Sequence, residues 1–168
     1  LFSVNKKTLI TKTKNNQKKF LEKLELLMTT LSHLIVKDGE GASKFITVEV
    51  VKAKNDKDAR KVARSVINSP LIKTAIAGSD SNWGRIIMAI GKTDAQILPD
   101  KISLSFGKYL ILDKGNKFIS KNVSKINKYL KKSEIKINIS LGLGTGNSRM
   151  WTCDLTKDYI SINADYRS

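Results

Sequence analysis

Three segments carry more polar chemistry than a turn or a chain end requires. Asp38-Gly-Glu-Gly-Ala-Ser-Lys44 sets two acids and two glycines between a helical pattern and a strand pattern, a junction where a tight backbone fixes the direction of its side chains. As plain structure, Gly39 caps the helix and the acids are solvated. As chemistry, side chains fixed there can point at a ligand. Gly78-Ser-Asp-Ser-Asn-Trp-Gly-Arg85 packs a tryptophan and several hydrogen-bonding groups into one loop, and loops are where binding residues concentrate. Ile162-Asn-Ala-Asp-Tyr-Arg-Ser168 keeps amides, acids and a hydroxyl to the last residue, where chain ends are usually nondescript. In it Asn163 offers an amide donor and acceptor, and Ser168 a hydroxyl beside a terminal carboxylate.

Other candidates have bland readings. Gly142-Leu-Gly-Thr-Gly146 invites a phosphate cradle, since closely spaced glycines bring N–H groups near an anion. Ser148-Arg-Met-Trp151 follows it with a strand pattern rather than a helix, so the run reads as a β-hairpin connection. His33 lies beside an apolar helical stripe with no acid at ligand or triad spacing, and Cys153 sits in an apolar strand as a buried, inert thiol. One cysteine and one histidine form no internal disulfide and make a poor metal site. No Gly-x-Ser-x-Gly or comparable nucleophile motif is present.

The elements that must position these segments follow from periodicity. Residues 2–13 read as a strand. Phe20, Leu24, Leu27, Leu31 and Leu34 recur at helical spacing, which predicts a helix from Asn15 or Asn16 to Gly39. Residues 44–53 alternate and are rich in β-branched types, a strand. Asp56 is the expected cap of a helix with Ala59, Val62, Ala63, Val66 and Ile67 on one side. Ser69-Pro70 opens a further helix over 71–77, and 83–90 forms another, closed by Gly91. Strands are expected at 102–106 and 109–112, the second continuing through a turn at 113–116 into Phe118-Ile119. A helix at 123–130, strands at 135–141 and 150–155, and an extended tail at 159–162 complete the pattern. Helices and strands mix without a strict βαβ repeat, which predicts an α+β fold.

The chain has 168 residues, the size of a single domain or a large part of one. Its 40% hydrophobic and 27% charged content is ordinary for a globular protein and argues against disorder. The apolar-leaning stretch 26–36 is interrupted by Thr29, Thr30, Ser32 and His33, so no membrane-spanning segment is expected. The single cysteine and the lack of a signal-peptide core suggest an intracellular, cytoplasmic protein. The chain starts at Leu1 rather than methionine, and its true N-terminus is expected upstream. A net charge of +16 raises the alternative of a basic, non-enzymatic nucleic-acid-binding protein. Five of the 31 cations are arginine, the residue that forks onto bases; the balance favours a lysine-solvated surface, and no specific nucleic-acid partner is expected.

Five groups of residues in chain order carry a resemblance: Asp38-Gly-Glu-Gly-Ala-Ser-Lys44 with Phe45-Ile-Thr-Val48, Asn68-Ser-Pro-Leu71 with Lys73-Thr-Ala75, Asn82-Trp-Gly-Arg-Ile86, Cys153-Asp-Leu-Thr156 and Ile162-Asn-Ala-Asp-Tyr-Arg167. Together they resemble the ornithine acetyltransferase (glutamate N-acetyltransferase) family of arginine biosynthesis, from about Phe20 to Ser168. The resemblance implies a precursor that cuts itself into α and β chains, whose fold is an α+β sandwich assembled from both. It implies acetyl transfer from N-acetylornithine to glutamate through an acetyl-threonine on the new β-chain N-terminus. This chain then corresponds to the C-terminal part of the β chain, with the nucleophile outside it, and is expected to be inactive alone. The implied substrate contacts are Glu40, Asn163 and Ser168, where serine replaces the family's usual terminal threonine; Ser43 likewise stands where threonine is common. The implied partners are the α chain of the same precursor, in an α/β hetero-oligomer, and the substrates N-acetylornithine and glutamate. No cofactor and no metal are implied, with acetyl-CoA as an alternative acetyl donor in some relatives.

Overall fold

The structure, a computed structural model, describes residues 14–115 and 123–166. The strand expected over 2–13, the continuation through Phe118-Ile119 and the terminal Arg167 and Ser168 lie outside these residues. Two compact units are present, Leu1–Ile35 and Val36–Ser168. In the first, the long apolar stripe forms helix α1 (Lys14–Lys37), which buries none of its residues. Leu27, Leu31 and Leu34 of the stripe are exposed.

The second unit is built on a five-stranded mixed sheet in the order β3-β2-β4-β1-β5. Its strands are β1 (Phe45–Ala53), β2 (Ser103–Phe106), β3 (Tyr109–Leu112), β4 (Glu134–Ser140) and β5 (Gly146–Cys153). The helices are α2 (Asp56–Ile67), α3 (Pro70–Ala77), α4 (Trp83–Gly91), α5 (Val123–Leu130) and α6 (Lys157–Asp165), with a 3-10 turn at Pro99–Lys101. The α+β reading holds. β1 pairs parallel with β4 and antiparallel with β5, and β2 pairs antiparallel with both β3 and β4.

Strand alternation decides where the core sits. Ile46, Val48 and Val50 of β1, Ile135, Ile137 and Ile139 of β4, and Leu104 and Phe106 of β2 are all buried. They join one cluster with Ala59, Val62, Ala63 and Val66 of α2, Ile86 and Ile90 of α4, and Ile126 and Leu130 of α5. The two periods, two in the strands and nearly four in the helices, thus meet in one hydrophobic layer. At the start of α2 the expected cap moves by one residue. Asn55, with extended backbone, accepts from the Asp58 N–H, and Asp56 is the first helical residue; there its charge favours the helix dipole. Ser69 caps α3 ahead of Pro70 as expected, and Gly91 falls inside α4 rather than beyond it.

The glycine run is not a hairpin. β1 lies between β4 and β5, so the chain leaving β4 crosses the end of β1 before β5 begins. Leu141 and Leu143 donate their N–H groups to the carbonyls of Val51 and Lys52, at 3.0 and 2.7 Å. A Cβ at Gly146 would stand 2.1 Å from the carbonyl carbon of Asn55, and one at Gly144 2.8 Å from the Ala53 oxygen. These glycines serve close backbone passage rather than a turn or a phosphate. The expected extended tail is corrected as well: residues 159–162 lie within α6.

The other face of the sheet carries a charge cluster. Glu49 of β1 pairs with Lys136 of β4 at 2.6 Å and with Arg149 of β5 at 2.5 Å. Hydrogen bonds from Lys136 and then Arg149 hold its carboxyl below the ordinary value of 4.5. A depressed folded value means that this stabilisation is full above the ordinary carboxyl range and is lost as pH falls through the lowered value. We expect Glu49→Gln to flatten the acid limb of a plot of thermal midpoint against pH and to lower the neutral-pH midpoint by no more than about 4 °C, since the cations are half-exposed. Identical acid limbs in the two proteins would show that the cluster contributes nothing.

Candidate substrate-binding site

The segment 38–44 forms a compact turn between α1 and β1. The Ala42 N–H donates to the Gly39 carbonyl at 2.9 Å, and Gly41 adopts φ +65°, a left-handed conformation that suits glycine. A Cβ at Gly41 would lie 2.5 Å from the Tyr159 nitrogen and 2.9 Å from the Asp158 carbonyl carbon. The turn therefore backs directly onto the first turn of α6. Thr156 ties the two together: its hydroxyl donates to the Gly41 carbonyl at 2.6 Å and accepts from the Asp158 N–H as the cap of α6.

This docking brings two of the three expected contact residues together. The Asn163 amide donates to Glu40 Oε2 at 2.8 Å and to the Tyr159 carbonyl at 2.8 Å. Both side chains are exposed, so the pair stands at the surface with the Glu40 carboxylate directed by a partner 123 positions away in sequence. A carboxylate and an amide so arranged can bind an ammonium or a second amide from outside. Ser168 lies beyond the described residues.

Below the pair is a polar chain that the sequence reading did not assign. Asp154, immediately after β5, is 3% exposed. Its Oδ1 accepts from the N–H groups of Ser43 and Lys44 at 2.8 and 2.9 Å, and its Oδ2 accepts from the Ser43 hydroxyl at 2.5 Å. The Lys44 ammonium donates to the carbonyls of Ile76 and Ala77 at the end of α3, at 2.6 and 3.3 Å, and to the Ser79 hydroxyl at 2.8 Å. A cation there answers the orphan carbonyls of the helix end. Burial pulls the Lys44 ammonium below its ordinary pKa, and the Asp154 carboxylate opposes that.

Lys44 thus joins the second polar loop to the first. In that loop Ser79 takes φ +56° and donates onward to the Leu130 carbonyl at 3.2 Å. The segment ends in the first turn of α4, where Arg85 donates to the Leu71 carbonyl at 2.6 Å and Trp83 packs against the core. All three segments singled out by their polar content are therefore linked: 78–85 through Lys44, and the terminal stretch through Asn163. The sequence offered an acid within the strand expected over 150–155; β5 ends at Cys153 instead, which leaves Asp154 just beyond it and two residues before the Thr156 cap. His33 is half-buried on α1, and Cys153 is partly rather than fully buried, with its Sγ 3.0 Å from where a Gly39 Cβ would stand. Among the described residues, no group of three or more His, Cys, Asp or Glu side chains is placed to hold a metal ion, and no helix is long and apolar enough to cross a membrane.

The described residues thus form a mixed α+β sheet unit that brings a carboxylate and an amide together at its surface. The family model described as the ArgJ family matches residues 1–168, and the chain belongs to that family. It is 49% identical over 151 residues to the arginine biosynthesis bifunctional protein ArgJ of Ruegeria pomeroyi, covering 89% of this chain and 36% of that protein. To the protein of the same description from Caulobacter vibrioides it is 44% identical over 149 residues, covering 89% of this chain and 37% of the relative. The crystal structure of the arginine biosynthesis bifunctional protein ArgJ from Bacillus halodurans superposes with a TM-score of 0.85 at 39% identity, over 89% of this chain and 70% of that chain. The chain spans little more than a third of the length of these curated relatives.

Proposed function

We propose that the protein containing this chain transfers the acetyl group of N-acetylornithine to glutamate, and that this chain supplies part of the substrate-binding surface. The observation that carries the reading is the Glu40–Asn163 bond, which joins two motif segments in a chain of the ArgJ family. In the first half-reaction a threonine hydroxyl outside this chain attacks the acetyl carbonyl. The carbon–nitrogen bond to ornithine breaks, and the hydroxyl proton passes to the leaving amine. In the second, the glutamate amine attacks the acetyl-threonine ester, the carbon–oxygen bond breaks, and the proton returns to the threonine. Both substrates are amino acids whose charges must be oriented, and the Glu40 carboxylate, held by Asn163, suits an ammonium group. Ser168 belongs to the same proposed contact set. The α chain of the precursor is the proposed partner that completes the site, and acetyl-CoA is a candidate second donor.

The test is direct. The complete protein, incubated with N-acetylornithine and glutamate, is expected to form N-acetylglutamate and free ornithine in equal amounts, with no nucleic acid required. Ornithine release without N-acetylglutamate would replace transfer by hydrolysis, and no release at all would overturn the reading.

A further inference from the structure

We propose that Asp154 is a positioning residue for substrate binding: one buried carboxylate sets the geometry of both halves of the Glu40–Asn163 pair. The inference rests on the acetyl-transfer reading and deepens it by naming what holds the site in register.

Neither half of the pair can hold itself. α6 exposes every one of its residues, including Tyr159, Ile160 and Ile162, so apolar burial does little to fix it. The Glu40 turn is likewise at the surface. A hydrogen bond between two exposed side chains is too weak to order a helix and a turn against their conformational entropy. Their geometry must be imposed from below, by groups that are themselves buried and fully bonded.

Asp154 is the buried group common to both. On one side it holds residues 43–44 by three accepted hydrogen bonds and by its own N–H, which donates to the Lys44 carbonyl at 3.2 Å. This fixes the downstream leg of the turn three residues beyond Glu40. On the other side Asp154 is two residues from Thr156, which caps α6 and bonds to Gly41, so it also fixes where the helix carrying Asn163 begins. Hydrogen bonds to a buried carboxylate are stronger and more directional than neutral ones. An asparagine at this position presents one acceptor oxygen and an NH2 that cannot accept from Ser43 or Lys44.

A purely structural clamp and a positioning residue differ in how their loss combines with the loss of Glu40. In the complete protein, Asp154→Asn is expected to raise KM for N-acetylornithine about tenfold while kcat changes less than about threefold. In a Glu40→Gln background the same change is expected to cost less than about threefold in kcat/KM, because the group it positions is already gone. Equal fold-losses in the two backgrounds would make Asp154 a fold element alone and overturn the proposal. If Asp154→Asn yields no folded protein, Ser43→Ala, which removes one of the three accepted bonds, takes its place with the same expected dependence on Glu40, and equal losses there are equally fatal. Absence of acetyl transfer by the unmodified protein overturns the functional reading first and this inference with it. An active protein with equal losses in both backgrounds overturns only the assignment of Asp154.

Discussion

Glu40→Gln in the complete protein is expected to lower kcat/KM for acetyl transfer about tenfold or more, a loss of at least about 1.4 kcal/mol in transition-state stabilisation, with little change in thermal midpoint. Glutamine keeps the size of the side chain and an oxygen that can still accept from the Asn163 amide. What it removes is the charge. The side chain is exposed, so no buried contact is lost and stability has no reason to move. The proposed substrates, by contrast, carry ammonium groups whose attraction to a carboxylate is charge-assisted and roughly twice as strong as a neutral hydrogen bond. Separate fits of kcat and KM show whether the charge acts in binding or on the departing amine. Unchanged kinetics in both parameters would mean that Glu40 does no electrostatic work in the site.

How much of this was legible without the structure depends on whether the deciding interactions are local. α5 and α3 fall where periodicity and caps put them, because Ser69-Pro70 and the apolar spacing of Ile126 and Leu130 act within a turn or two of the chain. β1 was equally plain from its alternation. The passage of 141–145 over the end of β1 was not, since nothing within that run says which strand will lie between β4 and β5. Its glycines look alike whether they turn tightly or let two backbones approach. α6 was missed because β-branched Ile160 and Ile162 with Tyr159 favour an extended reading; the Thr156 cap and the seat against Gly41 override that preference. Glu40 and Asn163 were reached through the family resemblance, and the structure brings them together. Asp154 lay inside a quoted motif and inside the strand expected over 150–155, without a role, because nothing local shows the three donors of residues 43 and 44 that converge on it.

The largest single effect on the site is expected from a methyl group. Gly41→Ala puts a Cβ 2.5 Å from the Tyr159 nitrogen, closer than real Cβ atoms come, and the obstacle is backbone rather than a side chain that can swing aside. It also places an L-residue at φ +65°, a conformation that costs such residues roughly 1–2 kcal/mol. The cheapest relief is for α6 to lift off the turn, because that helix is exposed throughout while the other side of the turn is pinned at residues 43–44. Lifting α6 breaks the Thr156–Gly41 bond and parts Asn163 from Glu40. We therefore expect kcat/KM to fall about a hundredfold or more, equivalent to roughly 2.7 kcal/mol. Hydrogen exchange should rise across residues 157–165 and stay unchanged in β1 and β4, whose buried side chains the substitution does not touch. Gly91→Ala is the control, since a Cβ there meets nothing within 4 Å and alanine is the better helix former; it should leave activity intact. Wild-type kinetics and wild-type exchange in Gly41→Ala would show that the contact between turn and helix does not hold the site together.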